Sequence, residues 1–117
     1  MKTDRELLEA AAKAAGLNVK AERVDADDRF IGLIVGPKHT KLKVDWNPLT
    51  DDGDALRLAV ALRMCVESWG SGASAVVEVN NRALVAEPHY GDDPGRATRR
   101  AIVRAAAAMV AGCPGAV

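Results

Sequence analysis

The chain has 117 residues, with 16 lysines and arginines against 16 aspartates and glutamates, and 49% of it is apolar although only 3% is aromatic. The zero net charge excludes a protein that holds nucleic acid tightly by charge alone, and the sequence contains no run of about 18 apolar residues that could span a membrane. The N-terminus is charged where a secretory signal would become apolar. We therefore expect one soluble, cytoplasmic domain over residues 1–117, with a flexible tail at 113–117.

Hydrophobic periodicity divides the chain into alternating helical and extended segments. Apolar residues recur at three- and four-residue spacing in three places, which is typical of helices, and at two-residue spacing elsewhere, which is typical of strands. In chain order the sequence predicts a helix over 4–15, a strand over 17–22, a hairpin of strands 30–35 and 40–46, a helix from 51 to about 64, a strand over 65–69, a hairpin of strands 75–79 and 82–87, and a helix from 93 to about 111.

Capping residues mark the three helix starts. Thr3 followed by Glu6 fits a capping box, and Asp51 followed by Asp54 resembles one with a shorter acid. Asp93 precedes a proline, the residue favoured at the first helical position. Each helix is therefore predicted to begin at a side chain that accepts a hydrogen bond from a backbone N–H of the first turn.

Side-chain patterns also predict which faces are buried. Residues 30–35 are apolar on both faces and should form a central strand, whereas 40–46 alternates. The second helix has a wide apolar face and should be largely covered. The side chains expected to face the core are Leu42, Val44 and Trp46 in the strand, Ala55, Leu56, Leu58, Ala59, Val60 and Leu62 in the second helix, and Ile102, Ala105, Ala106, Met109 and Val110 in the last.

The order of these elements predicts an α+β fold. We expect a single domain with three helices packed on a mixed or antiparallel sheet of about four or five strands. The chain contains 22 alanines, which let helices approach closely but yield little hydrophobic stabilisation per residue. Self-association would supply additional buried surface.

Few residues form a pattern that points to catalysis or metal binding. Four aspartates between 45 and 54 could hold a divalent cation, but they do not follow the spacing of a calcium-binding loop, and helix capping accounts for them. His39 and His89 each lack a second ligand at metal-binding spacing. An enzyme would require His89, Asp92 and Asp93 to converge in one pocket. We therefore expect no catalytic residue, no metal and no cofactor.

Arginines and aromatic residues are the remaining candidates for a binding site. Arg96, Arg100 and Arg104 recur every four residues, and Arg99 lies beside Arg96. This stripe is either a solvated outer face paired with acids or a site for phosphates or another anion, because guanidinium groups bind such anions bidentately. The aromatic candidates for a pocket or an interface are Trp46, Trp69 and the loop pair His89 and Tyr90.

Two stretches together resemble small phage and prophage proteins grouped as the phage ABA sandwich domain. They are residues 46–60 (WNPLTDDGDALRLAV) and residues 97–107 (ATRRAIVRAAA), and the resemblance spans most of the chain. It implies a three-layer α/β/α fold, an origin in a phage or prophage, and a location in the cytoplasm of a bacterial host. No catalytic motif accompanies the family, so no functional residue is carried over.

Two functional hypotheses follow. The first is a non-enzymatic phage accessory protein that acts through contacts with a phage or host protein and forms a homo-oligomer. The alternative is a protein that binds a nucleotide or another anionic metabolite, and so counters a host defence signal. The zero net charge and the four aromatic residues argue against nucleic acid as the partner.

Overall fold

Six strands form two antiparallel sheets, and three helices pack beside them, in the part of the chain that the structure describes. The computed structural model describes residues 3–69, 72–77, 82–88 and 93–111, and the side chains of 3–67 and 93–110. The elements are α1 (Asp4–Ala14), β1 (Asn18–Val24), β2 (Phe30–Gly36), β3 (Val44–Trp46), α2 (Asp52–Ala61), β4 (Met64–Trp69), β5 (Gly72–Val77), β6 (Arg82–Pro88) and α3 (Pro94–Ala111).

Helix α1 begins and ends as its sequence predicts. The Glu6 backbone N–H donates to Thr3 Oγ1 at 3.2 Å, and the Thr3 backbone N–H donates to Glu6 Oε1 at 2.9 Å, which completes the capping box. Gly16 follows the helix with a φ of 75°, a left-handed conformation that glycine adopts without steric cost. On the apolar face of α1, Leu8 and Ala11 are fully buried.

The first sheet has the order β1-β2-β3, with antiparallel pairing throughout. The central position predicted for the apolar run is confirmed, because β2 pairs on both sides. Strand β3 is shorter than the alternation predicts: it covers Val44–Trp46, and only Trp46 is buried. The prediction that Leu42 and Val44 face the core is wrong, since they are 68% and 63% exposed.

A turn before β3 explains this difference. Thr40 Oγ1 donates to the carbonyl oxygen of Pro37 at 3.0 Å and accepts from the Leu42 backbone N–H at 3.3 Å. The loop returns so closely to β2 that a Cβ atom at Gly36 would collide with the Leu42 carbonyl oxygen. Local hydrogen bonds therefore engage the Pro37 carbonyl and the Leu42 N–H outside the ladder, and alternation alone does not reveal where pairing starts.

The second sheet has the order β4-β5-β6 and is also antiparallel. Pairing of β5 with β6 confirms the predicted second hairpin, and the pairing ends at Val77 and Arg82. The turn predicted at Asn80 and Asn81 lies outside the described residues. The sequence predicts one sheet of four or five strands, whereas the described strands divide into two sheets, because β4 follows α2 and pairs with β5 rather than with the first sheet.

Helix α3 lies at the centre of the molecule. It contacts α1, α2 and all three strands of the second sheet, while α1 packs on the first sheet. The class predicted from the sequence, α+β with three helices, is confirmed. The helices contact one another through α3 rather than lying on opposite faces of one sheet. Small side chains permit this close approach, and the buried residues of α3 are Ala97, Ala101, Ile102, Val103, Ala105, Ala106 and Ala107.

Candidate functional site

The start of α3 brings three of the four predicted arginines to one cleft. The Arg96 backbone N–H donates to Asp93 Oδ1 at 2.8 Å, so Asp93 caps the helix as predicted. The resulting first turns place Arg96, Arg99 and Arg100 around a cleft of about 270 Å³, together with Asp4, Leu49 and Thr50. Arg104 is exposed one turn further along and does not line this cleft.

Two of these arginines bind other parts of the protein. Arg99 Nε donates to the Leu49 carbonyl oxygen at 2.9 Å, and its Nη1 lies 2.7 Å from Asp52 Oδ1. Its side chain is only 19% exposed, so α3 is tied to the loop and first turn of α2 at this point. Arg100 Nη1 lies 3.6 Å from Asp4 Oδ1 in α1. These pairs agree with an arginine stripe paired with acids, and they also hold the guanidinium groups in place.

The aspartates of the acidic cluster contact several arginines and backbone N–H groups. Asp51 Oδ2 accepts the Asp54 backbone N–H at 2.8 Å, which confirms the predicted cap of α2. The side chain of Asp54 does not return to Asp51 but accepts the Asn47 backbone N–H at 2.9 Å. Within the described residues, no group of three potential ligands could hold a metal ion. The ion pairs of the cluster are Asp45 with Arg23 at 3.4 Å, Asp52 with Arg99 at 2.7 Å, and Asp54 and Asp51 with Arg57 at 2.7 Å and 4.0 Å.

Trp46 belongs both to the core and to the wall of a second cleft. Its side chain is 6% exposed and contributes to a cavity of about 420 Å³ between α2 and the first sheet, with Val35 and Leu58. Asp45, Asp54 and Arg57 provide the polar part of this cavity. The side chain of Trp69, and both His89 and Tyr90, lie outside the described residues.

A third cleft is the feature that sequence analysis missed. It is a groove of about 470 Å³ between α2, α3 and β4, which we call the α2–α3 groove. The Asp52–Arg99 ion pair lies within its lining at the start of α2. Its lining residues include Ala55, Leu56 and Ala59 of α2, Val66 of β4, and Thr98 and Ile102 of α3.

The outer face of α2 is apolar beside this groove. Leu56 is 64% and Val60 is 67% exposed, so the prediction that this helix is largely covered is wrong. Only the side of α2 that carries Ala55, Leu58 and Ala59 meets the core, since the helix packs at the edge of the molecule. The sequence contained this signal, because Leu56 and Val60 make the apolar face of the helix wider than a single contact with the core can cover.

Comparisons with known proteins give no relative. The chain matches no protein-family model, and no curated protein and no solved structure is significantly similar to it. Separately, none of the helices within the described ranges combines the length and the apolar composition needed to cross a membrane.

Proposed function

We propose that the protein is a non-enzymatic accessory protein that acts through contacts with other proteins and is itself a homo-oligomer. The observation that carries this proposal is the exposed apolar pair Leu56 and Val60 beside the α2–α3 groove. Full burial of a side chain of this size stabilises a protein by about 1.5–3 kcal/mol, and contiguous apolar surface on a folded domain is typical of interaction sites. Both side chains remain mostly in water in the isolated chain.

The proposed origin is a phage or prophage, with the bacterial host cytoplasm as the location. Support comes from the resemblance of residues 46–60 and 97–107 to the phage ABA sandwich domain. In the folded chain, the first stretch forms β3's end and most of α2, and the second lies within α3. The two stretches thus supply most of the lining of the α2–α3 groove.

Measurement of the mass in solution tests the homo-oligomer. At tens of micromolar, light scattering should give at least twice the chain mass of 12.3 kDa. The midpoint of thermal unfolding should also rise with protein concentration, because association stabilises the folded state by mass action. A strictly monomeric mass with a concentration-independent midpoint would contradict the proposal.

A second candidate function is binding of a small anion, such as a nucleotide or another phosphorylated metabolite, in the arginine cleft. It is favoured by the three guanidinium groups that line one cleft of about 270 Å³ with the Thr50 side chain. Arg99 and Arg100 are engaged with Asp52 and Asp4, so an anion would compete with these carboxylates.

A thermal-shift screen with linear and cyclic nucleotides tests this candidate. A ligand at 100 times its dissociation constant should stabilise the folded state by about 2.7 kcal/mol. Arg96→Ala should remove the shift, whereas Arg29→Ala, a change of another exposed arginine far along the chain, should leave it intact. A flat response to every nucleotide would exclude nucleotides as the ligand of this cleft.

A further inference from the structure

We infer that the partner seated on α2 is a second copy of the chain, whose α2 packs antiparallel to the first across a two-fold axis. The inference rests on the proposed function and identifies the surface through which the copies associate. It starts from the ridge of α2 that carries Leu56 and Val60, which lies beside the α2–α3 groove and is exposed in the isolated chain.

The spacing of the residues along this ridge favours contact with another helix. Gly53, Leu56 and Val60 follow one another within α2 at intervals of three and four residues, the repeat that forms the contact seam between two packed helices, and Arg63 follows just beyond the end of the helix. Leucine and valine occupy the middle of the seam, and at its N-terminal end the charged side chains of Arg57 and Asp51 lie beside Gly53. The seam is therefore short, apolar at its centre and polar at its ends.

The seam is also symmetric when the direction of the helix is reversed. The two helices are antiparallel, and the two-fold axis crosses the exposed face of α2 at the level of residue 58. Leu56 of one copy then lies opposite Val60 of the other, and Val60 opposite Leu56. The same operation brings the N-terminal turn of one α2 to the C-terminal end of the other. Isologous two-fold contacts of this kind close after two copies, because the seam of each copy is covered by that of the other.

The charges at the two ends of α2 favour antiparallel packing. Asp52 and Asp51 lie at the N-terminal end of α2, and Asp52 is 86% exposed even while it pairs with Arg99. Arg63 is exposed immediately beyond the C-terminal end. Antiparallel packing places the acids of each copy next to Arg63 of the other and pairs opposite ends of the two helix dipoles, whereas parallel packing would oppose like charges.

The backbone of Arg63 is in an unusual conformation at the end of the ridge. Its φ is 56°, in the left-handed region where glycine or asparagine is the usual residue after a helix. The sequence has an arginine there despite the steric cost. The left-handed conformation turns the chain from the end of α2 into β4.

The test compares two leucines of similar exposure by sedimentation velocity. Leu56→Glu places a charge at the centre of the proposed seam, and Leu42→Glu places one on the loop before β3, with Leu42 68% exposed against 64% for Leu56. We expect Leu56→Glu to weaken self-association by about 100-fold or more and Leu42→Glu to leave it unchanged. Circular dichroism establishes that each variant is folded, and Val60→Glu replaces Leu56→Glu if that variant unfolds.

A charge reversal tests the antiparallel orientation. Arg63→Glu should weaken association by about 10-fold at low salt and less at high salt, while Arg29→Glu should have no effect. An oligomer that survives Leu56→Glu and Val60→Glu, or one that Leu42→Glu dissociates instead, overturns the α2 interface but leaves the proposed homo-oligomer intact. An oligomer insensitive to Arg63→Glu overturns the antiparallel packing, and a monomeric wild-type protein overturns both proposals.

Discussion

Asp54 is the buried charged residue on which the position of α2 depends. It is 9% exposed, and its carboxylate receives the Asn47 backbone N–H on one oxygen and the Arg57 guanidinium on the other. The first bond joins α2 to the segment that follows Trp46. The second is made by a side chain that is 72% exposed, so solvent screens it.

We predict that Asp54→Ala is considerably more damaging than Arg57→Ala. Removing the carboxylate leaves the Asn47 N–H without its acceptor in a partly buried site, which should lower the free energy of unfolding by about 1–3 kcal/mol. Arg57→Ala removes only the screened partner and should cost about 1 kcal/mol or less. Urea denaturation of both variants measures the difference, and equal losses would contradict this assignment.

The sequence predicted the residues whose partners are near in the chain and missed those whose partners are distant. Thr3, Asp51 and Asp93 were each identified as helix caps because their acceptors serve N–H groups three residues away. The Arg99 contact to the Leu49 carbonyl joins residues 50 positions apart, and no local pattern encodes it. The arginine spacing could therefore predict a shared helix face but not the residues that this face would meet.

At the scale of elements, periodicity predicted which segments are helices and which are strands. It did not predict which of their apolar residues are buried. Strand β3 and helix α2 both have apolar residues that the fold leaves exposed, because each lies at an edge: β3 pairs with β2 alone, and α2 meets the core on one side. Periodicity records which residues share a face, but whether a neighbour covers that face depends on contacts made by distant segments.

The capping box of α1 is an element-scale feature that a single substitution can test. Thr3→Ala removes both the acceptor for the Glu6 N–H and the hydroxyl that contacts Glu6, and should lower the free energy of unfolding by about 1 kcal/mol. Thr3→Ser retains the hydroxyl and should remain within about 0.3 kcal/mol of the wild type. Thermal and urea unfolding of the pair measure the cap, and a harmless Thr3→Ala would show that α1 is held by packing alone.

At the scale of the whole molecule, α3 sets how closely the other elements approach. Ala105 and Ala106 have no exposed surface, and Val103 is also fully buried. Their small volume lets the helix contact α1, α2 and the second sheet at once. The abundance of alanine in the sequence therefore has a structural role as well as a compositional one, although composition could not identify α3 as the central helix.

Enlarging a buried alanine should separate these neighbours. We predict that Ala105→Leu lowers the free energy of unfolding by about 1–3 kcal/mol, since the added carbon atoms have no space in a closely packed interior. Ala108→Leu, at a partly exposed position one turn from Arg104, should cost about 0.5 kcal/mol or less. Chemical denaturation distinguishes the two, and an Ala105→Leu protein of wild-type stability would contradict the central position of α3.

The contact between α1 and α3 also has a consequence for the chain during translation. Leu8, Ala11 and Ala12 are fully buried in the finished molecule, where α1 packs against α3. At about 5–20 residues per second, the ribosome needs about 4–16 s to add the roughly 80 residues that separate the two helices. Throughout that interval the apolar face of the nascent α1 has only the first sheet to pack against and lacks the part of its cover that α3 supplies.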